Sequence, residues 1–428
     1  MINEIISNIF RKTNNPSDLL TVKYLNDLKY FSAAKKIFLS LENYSADYKL
    51  MFVGGCVRKL LKEEEVDDMD IATNINPKKV KEILKEKNIK FIETGIEHGT
   101  VSVFINDFKF ELTTLRKDLS TDGRHANVEF ISDWEVDAKR RDFTINSIYS
   151  DLSGKIFDPL GGVADLRKGI VKFIGDAEQR IKEDYIRILR YIRFFTQYSN
   201  YEHKQNTVDA IKKNLGNFNK ISKERSLDEL FKILKLKNLN NLFDNEFSRF
   251  VILSIFPQFK YFDRLKSLNK ISKHLQPRIN KILLLSILII DNSDNCDFFL
   301  YKFNLSNQIK KRILFIKTSF ASNYIGDLLN KKNLIKLCYD NNKKEDVIDL
   351  LIFLIFNYPQ KLKIIENLIE FIDNSAIPEF PIQAEYLIKQ FNFTEGKKLG
   401  DALKKLESIW IKNNFKIDKD KINSILEI

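Results

Sequence analysis

The chain has 428 residues, which is too long for one ordinary hydrophobic core and predicts two or more domains. Its 44% hydrophobic and 30% charged residues are typical of a globular protein, and its net charge of +12 favours a polyanionic partner, nucleic acid ahead of membrane. Its three scattered cysteines exclude a zinc cluster or disulfide framework and favour a reducing, cytoplasmic compartment.

No segment of the sequence predicts insertion into a membrane. The start, MINEII, has no basic segment followed by a long apolar run, so no signal peptide is expected. The apolar run over 282–290 is too short to span a bilayer and is predicted to be a buried helix. We therefore expect no membrane partner, and no obligate protein partner is evident.

In chain order, residues 1–50 have the helical spacing of lead-in helices, and residues 50–150 change to strand patterns. The runs over 100–105 and 108–115 flank Asn106-Asp107, which predicts a hairpin. Beyond about 165 nearly every segment is helical. The strongest helical periodicity lies at 176–198, 224–236, 278–290, 307–320, 345–357 and 360–373. This order predicts an α+β fold in which a head with a mixed sheet precedes an all-helical remainder.

The most informative residues are Asp68 and Asp70, separated by Met69. On a strand, residues i and i+2 share a face, so both carboxylates can converge on one ion while Met69 enters the core. Mg²⁺ prefers carboxylate oxygens and stays partly hydrated, which suits bridging to nucleotide phosphates. Asp-x-Asp by itself is more often a solvated turn, so the prediction depends on its surroundings.

A glycine turn precedes these acids. Gly54 and Gly55 offer backbone N–H groups, and Arg58 adds a forked cation for phosphate oxygens. The order of glycine turn, helix and Asp-x-Asp strand favours a nucleotidyl-transfer site over a plain turn. Glu111 becomes a third catalytic acid if its strand neighbours that of Asp68 and Asp70, and is otherwise a surface glutamate on an edge strand.

Two further motifs carry chemistry. Arg141 and Asp142, in Arg140-Arg141-Asp142-Phe143-Thr144-Ile145-Asn146, suit triphosphate and ribose contacts, with a capped helix and a surface ion pair as the alternative. Asp184, Arg187 and Arg190 fall at i, i+3 and i+6 on a predicted helix, where acceptors and donors can imitate the edge of a base. The alternative is ion pairing within the helix, which contributes little.

A polar stretch over 115–126 is predicted to be a mobile loop between strands. His125 in this loop is interpreted as a hydrogen-bonding residue and not as a metal ligand.

Together these residues resemble the class II CCA-adding tRNA nucleotidyltransferase and bacterial poly(A) polymerase family, within the DNA polymerase beta superfamily. The resemblance covers about residues 50–235. It rests on Gly54-Gly55-x-Val57-Arg58 with Asp68-x-Asp70, on the Arg140–Asn146 motif, on Glu183-Asp184-x-x-Arg187-x-x-Arg190, and on Ser222-x-Glu224-Arg225 with Glu229. One departure is Lys59, where the family usually has Asp.

The resemblance implies a head over 1–165, a base-recognising neck over 166–235, a body over 236–345 and a tRNA-binding tail over 346–428. It implies template-independent addition of CCA from CTP and ATP to the 3′ end of tRNA, with release of pyrophosphate. Asp68 and Asp70 would bind Mg²⁺, Glu111 would assist catalysis, and Asp184 and Arg187 would select the base. The triphosphate would be held by Gly55, Arg58, Arg141, Arg190 and Arg193.

Other functions stay open at this point. A poly(A) polymerase using ATP, or an enzyme adding only CC or only A, has similar motifs. A catalytically inactive RNA-binding paralogue is a third alternative, which the retained acids Asp68, Asp70 and Glu111 disfavour.

Overall fold

The computed structural model describes residues 30–121, 126–322 and 324–426. The chain divides into two compact units, Met1–Ile255 and Phe256–Ile428. The first unit carries a mixed sheet followed by helices, and the second is helical, so the predicted α+β fold class is confirmed. The finer division into head, neck, body and tail stays a prediction.

A seven-stranded sheet forms the head, in the order β3-β4-β5-β2-β1-β8-β9. Only β2 and β5 pair in parallel among its described strands, and the other neighbours are antiparallel. A separate hairpin pairs β6 with β7. The strands are β1 (Leu50–Val53), β2 (Met69–Thr73), β3 (Lys90–Gly95), β4 (Thr100–Ile105), β5 (Phe108–Thr114), β6 (Arg116–Thr121), β7 (Ala126–Phe130), β8 (Tyr149–Ser150) and β9 (Ile156–Phe157).

Helices cover the head sheet through apolar side chains at helical spacing. In α1, Ile37 and Phe38 are buried, and the Phe38 ring lies 4.9 Å from that of Phe52 on β1. In α3, Asn76 caps the helix by accepting from the Lys78 N–H, and Pro77 occupies the first turn, where its missing donor costs nothing. The head helices are α1 (Phe31–Glu42), α2 (Gly55–Leu61), α3 (Pro77–Glu86) and α4 (Trp134–Lys139).

The rest of the first unit is helical. Its longest helix, α7, buries nine residues, among them the aromatic side chains of Tyr191, Phe194 and Tyr198. Short 3₁₀ segments occur at Ile96–His98, Thr144–Asn146 and Leu215–Lys220. The helices are α5 (Gly162–Lys168), α6 (Ala177–Glu183), α7 (Arg187–Tyr198), α8 (Gln205–Asn214), α9 (Lys223–Ile233), α10 (Leu239–Asp244) and α11 (Glu246–Ile255).

The second unit is built around α17, in which every residue from Val347 to Phe356 is buried. A helix that is buried all round lies at the centre of a bundle. A smaller cluster near the end of the chain includes Leu387, Leu406 and Ile422. The helices are α12 (Lys281–Ile289), α13 (Asn295–Phe303), α14 (Asn307–Ser322), α15 (Ile325–Leu328), α16 (Lys331–Asn341), α17 (Lys344–Asn357), α18 (Leu362–Asn374), α19 (Ala384–Phe391), α20 (Lys397–Lys412) and α21 (Ile422–Leu426).

The structure corrects two local predictions. The periodic segment 176–198 is not one helix, because α6 ends at Glu183, Asp184 adopts an extended conformation, and α7 begins at Arg187. Buried Ile181, Ile186 and Ile188 continue the apolar pattern across the break, which hid it. Asp184 therefore lies between two helices and not on a helical stripe with Arg187.

The predicted loop over 115–126 is wrong for Arg116–Thr121, which forms β6 and pairs with β7. A polar strand in a two-stranded hairpin lacks the apolar alternation that reveals strands in a sequence. The sequence-based prediction for His125 lies outside the described residues.

In the part of the chain that the structure describes, every helix is too short or too polar to cross a membrane.

Candidate active site

Strands β2 and β5 bring two acids side by side. Asp70 lies directly opposite Glu111 in the parallel register, and Met69 is buried in the core as its position in the strand predicts. Asp68 precedes the first residue of β2, and its side chain is 79% exposed. The Glu111 carboxylate accepts a hydrogen bond from Ser102 Oγ at 3.0 Å and pairs with Lys109 at 2.5 Å. β2 and β5 are therefore neighbours, which is the condition that the sequence analysis set for Glu111.

These carboxylates act on one another electrostatically. Burial, together with the negative charges of Asp68 and Glu111, raises the pKa of Asp70 to about 6. Partial desolvation and the charge of the neighbouring Asp67 also raise the pKa of Asp68, although most of its side chain faces solvent. Acidic side chains that are held close together despite their mutual repulsion are typical of a site that binds a cation.

The donor set fits a hard divalent cation. Within residues 30–121, 126–322 and 324–426, no three acidic, histidine or cysteine side chains form a ready-made metal cage. Mg²⁺ is usually held by one or two carboxylates, with water and substrate phosphates completing its shell. Asp68 and Asp70 match that pattern through their oxygen donors, and Glu111 stands beside Asp70.

The glycine turn lies next to the group of acidic residues formed by Asp68, Asp70 and Glu111, which we call the acidic edge. Gly54 has a φ of +71°, and a Cβ there would meet Arg141 Nη1 and the Asn146 carbonyl oxygen at 3.4 Å. Only glycine combines that backbone conformation with such a close approach at no steric cost. Gly55 begins α2, and the space where its Cβ would stand is open to 4 Å.

Arg58 is engaged in contacts within the protein. Its side chain is buried, its Nε donates to Tyr198 Oη at 3.2 Å, and another nitrogen donates to Asn146 Oδ1. The guanidinium also lies 4.5 Å from the centre of the Phe194 ring. Arg58 thus joins the glycine turn to α7, a geometry that supports the fold around the site.

Asp137, on α4, organises the two consecutive arginines. Its buried carboxylate accepts from Arg140 Nε at 2.8 Å, from Arg141 Nη2 at 3.2 Å and from Tyr149 Oη at 2.7 Å. Burial opposes its ionisation, but Arg141 and Arg140 outweigh burial and lower the pKa of Asp137 to about 2. Sequence reasoning missed Asp137, although its i, i+3 and i+4 spacing to the arginines was a usable signal.

Asp142 connects the head to α7. One of its oxygens accepts from Arg190 Nε at 2.7 Å, and the other accepts from Asn146 Nδ2 at 2.8 Å. Burial disfavours the charge, yet Arg190, Asn146 and Arg187 hold the pKa of Asp142 well below its usual range. The aspartate is therefore ionised, and it fixes one predicted nucleotide-binding arginine.

The predicted base-reading pair is engaged in internal contacts. Asp184 accepts from Arg225 Nη2 at 2.6 Å. Arg187 donates to Glu183 Oε2 at 2.6 Å and to the Arg180 carbonyl at 2.8 Å. Each of these contacts orients a side chain at the border of a cleft, and Arg225 would have to share Asp184 with any bound base.

Arg193 is placed deeper. Its side chain is 11% exposed, its Nε donates to Glu229, and its guanidinium lies 4.0 Å from the centre of the Phe194 ring. Arg193 does not line the cleft that Arg187 and Arg190 line, which distinguishes it from them.

A cleft of about 440 Å³ gathers many of these groups. Its lining has seven cationic side chains, counting Lys232, and five acidic ones, namely Asp118, Asp142, Asp184, Asp228 and Glu229. Its arginines are Arg116, Arg140, Arg141, Arg187, Arg190 and Arg225. Such a density of forked donors suits a phosphorylated ligand. The acids Asp68, Asp70 and Glu111 do not line the cleft, and Arg141 connects the two regions because it lies over Gly54 and attracts the Asp70 charge.

The sequence-based reasoning also missed Asp118, Asp228 and Lys232, which line the same cleft. They carry no motif of their own. Arg180 was missed too, and it donates to the carbonyls of Arg140 and Arg141, so it fixes the backbone of the arginine pair.

The chain is similar to known proteins both in sequence and in fold. Residues 50–172 match the family model described as the poly A polymerase head domain. The chain is 47% identical over 146 residues to the mouse "CCA tRNA nucleotidyltransferase 1, mitochondrial", covering 34% of each protein. It is 45% identical over 150 residues to the "CCA-adding enzyme" of Oceanobacillus iheyensis, covering 35% of this chain and 36% of that protein. The matched part thus spans about a third of the length of these relatives.

Solved structures extend the likeness to nearly the whole chain at the level of the fold. The Bacillus stearothermophilus CCA-adding enzyme in complex with CTP has a TM-score of 0.67 at 23% identity, covering 94% of this chain and 98% of that one. The Thermotoga maritima CCA-adding enzyme complexed with tRNA has a TM-score of 0.62 at 20% identity, covering 95% and 97%. Nucleotidyltransferases of this kind typically use a divalent metal.

Residues 50–172 are thus similar in sequence to the poly A polymerase head domain and to the matching part of CCA-adding enzymes, and nearly the whole chain shares the fold of solved CCA-adding enzymes.

Proposed function

We propose that this protein is a template-independent nucleotidyltransferase that adds CCA from CTP and ATP to the 3′ end of tRNA and releases pyrophosphate. The observation that carries the proposal is the register of Asp70 opposite Glu111, joined through Arg141 to an arginine-lined cleft. An acidic edge next to a cationic cleft is what transfer of a nucleoside monophosphate from a triphosphate requires.

Asp68 and Asp70 would hold Mg²⁺, with Glu111 as the assisting acid. The ion would supply Lewis-acid stabilisation of charge on the α-phosphate and would favour ionisation of the terminal 3′-hydroxyl. In our proposal Gly54 and Gly55 let the triphosphate approach the backbone, while Arg141 and Arg190 bind its oxygens. Arg58 and Arg193 support these contacts from buried positions.

Asp142 would contribute to the nucleotide site by holding Arg190 and by contacting the ribose. Asp184 would accept a hydrogen bond from the amino group that cytosine and adenine share, and Arg187 would donate to a ring acceptor. The lysine-rich helices from about 236 to 428 would bind tRNA phosphates without reading sequence. Three cysteines kept as free thiols support a cytoplasmic location, although the mouse relative is named as mitochondrial.

The experiment is incubation of the full chain with tRNA that lacks its 3′ CCA, giving CTP, ATP or both, and sizing of the product. We expect growth by two nucleotides with CTP alone and by three with both. The Asp70→Asn variant is expected to lose incorporation of CMP and AMP by at least ~10³-fold, the size of effect seen when charge stabilisation in a transition state is removed.

Asp107→Asn is the matched control, because Asp107 is an exposed acid at the hairpin turn of the same sheet. Full activity of Asp70→Asn would refute the metal assignment. Loss of activity in both variants would point to a general effect of charge.

A second candidate is a poly(A) polymerase, which the description of the matching head domain favours. Growth of a long tail with ATP alone would identify it. Products that stop after CC, or that need a CC end before A is added, would identify a partial enzyme instead. Binding of tRNA should weaken steeply with added salt if phosphates dominate the interface, and a flat response would contradict that.

A further inference from the structure

Lys59 places a positive charge beside the acidic edge. It lies on α2, which begins at the glycine turn, and its ammonium group pairs with Asp67 and lies 3.8 Å from Asp68 Oδ1. The Lys59 side chain is 23% exposed, whereas those of Asp67 and Asp68 are 76% and 79% exposed. The lysine is thus largely covered, and its charged end reaches carboxylates that face solvent.

The backbone around Lys59 is fixed from both sides. The side chain of the preceding residue, Arg58, is buried against Tyr198. On the other side, Glu64 donates its N–H to the Lys59 carbonyl at 2.8 Å and accepts from Tyr198 Oη at 2.9 Å. Because both flanks are anchored to α7, the backbone at Lys59 is held in place and its ammonium group stays within reach of Asp67 and Asp68.

The charge at this position has a direct consequence for a metal ion. A divalent cation bound by Asp68 and Asp70 needs the negative charge that Lys59 now partly neutralises. It would also be repelled by an ammonium group this close. The charges around Asp70 are not all negative, because Lys109 pairs with Glu111 on its other side.

We propose that Lys59 is an internal counter-cation of Asp68 that competes with the divalent metal, so that residue 59 sets the metal concentration the enzyme requires. This inference rests on the metal site of the proposed function and deepens it. Lys59 is a positioning residue, because it acts on the metal through Asp68 and touches no substrate.

The test measures metal binding directly, without turnover. The metal-free full chain is titrated with Mn²⁺, and the unbound ion is followed by electron paramagnetic resonance. Lys59→Met keeps an unbranched, flexible side chain that is one atom shorter and removes the charge. It should bind Mn²⁺ about two- to fivefold more tightly, the size expected for loss of a partly exposed ion pair. Lys59→Arg keeps the charge and should bind like the unaltered chain.

Lys62→Met is the matched control. Lys62 follows α2, its side chain is exposed, and the substitution removes the same charge at a distance from Asp68. Lys59→Gln repeats the neutral substitution in case Lys59→Met disturbs folding, which circular dichroism monitors. Equal affinities for Lys59→Met, Lys59→Gln and the unaltered chain would overturn the proposal.

Weaker binding in the neutral variants would also overturn it, because Lys59 would then help to shape the site and not compete for it. Asp70→Asn separates this inference from the function on which it rests. Mn²⁺ binding that depends on Asp70 but is insensitive to residue 59 would overturn only the role of Lys59. Absence of any binding that depends on Asp70 would overturn the metal site as well.

Discussion

The two units differ in the number of charged side chains that they bury. Among the described residues, seven charged side chains are buried, and six of them lie in the first unit. The seventh, Asp349, lies on α17 and pairs with Arg312. The residues that match the family model, 50–172, also fall within the first unit.

This difference separates the unit that contains the candidate active site from the unit whose interior is almost entirely without charge. Burying a charge costs several kcal/mol unless it is paired and hydrogen-bonded, so a fold retains such groups mainly where they have a role. The second unit needs only apolar side chains of suitable size at helical spacing, which many sequences supply. That accounts for a shared fold at low sequence identity across the whole chain.

The largest effect should come from a buried ion pair of the first unit. Glu229 and Arg193 are 4% and 11% exposed, so Glu229→Ala leaves a buried guanidinium without its carboxylate. We expect the free energy of unfolding to fall by about 3–5 kcal/mol. Urea denaturation followed by circular dichroism measures it. Glu229→Gln keeps the shape and should cost less; a loss under about 1 kcal/mol for Glu229→Ala would contradict the comparison.

A core substitution in the second unit should cost nearly as much without touching the chemistry. Phe353 is fully buried, and its ring lies 5.1 Å from that of Phe320. Phe353→Ala should lower the free energy of unfolding by about 3–5 kcal/mol. The affinity for CTP, measured by calorimetry, should not change. Ile364→Ala, at a half-exposed site, is the control; weakened CTP binding in Phe353→Ala would break the separation between the units.

Asp184→Ala should relax the choice of base. The variant loses the acceptor proposed to read the amino group, so discrimination against UTP and GTP should fall by about 10- to 100-fold, equivalent to 1–3 kcal/mol. Competition between CTP and UTP during incorporation measures it. Arg225→Met removes the partner of Asp184 but keeps the carboxylate, and should retain selection. Unchanged selectivity in Asp184→Ala would reject the assignment.

The smallest effect should come from an exposed ion pair of the second unit. Asp373 and Arg278 are each 38% exposed, although their contact is bidentate at 2.9 and 3.1 Å. Asp373→Ala should cost only about 0.2–1 kcal/mol, because solvent screens the pair. Urea denaturation under the conditions used for Glu229→Ala tests this. A loss equal to that of Glu229→Ala would show that burial is not what separates the two pairs.

Much of the fold could be predicted from the sequence because it depends on local patterns. The alternation around β1, β4 and β5, the Asn106-Asp107 turn and the apolar periodicity of α9, α12, α14, α17 and α18 all appear where they were expected. The pairing of Asp70 with Glu111 could be predicted from the sequence only on the condition that their two strands are neighbours. Strand neighbours far apart in the chain are selected by the packing of the whole sheet.

The sequence by itself determined which acids, glycines and arginines are candidates for nucleotide chemistry, because motif spacing on strands and helices is a local property. Only the tertiary structure decided their partners. It put Arg58 and Arg193 in the interior and set Asp184 between two helices. It also paired Asp137 with Arg140 and Arg141, and paired Lys59 with Asp67 at 3.8 Å from Asp68 Oδ1. Such pairings depend on elements that are distant in the chain. The sequence does not indicate whether a charged residue faces solvent or a buried partner.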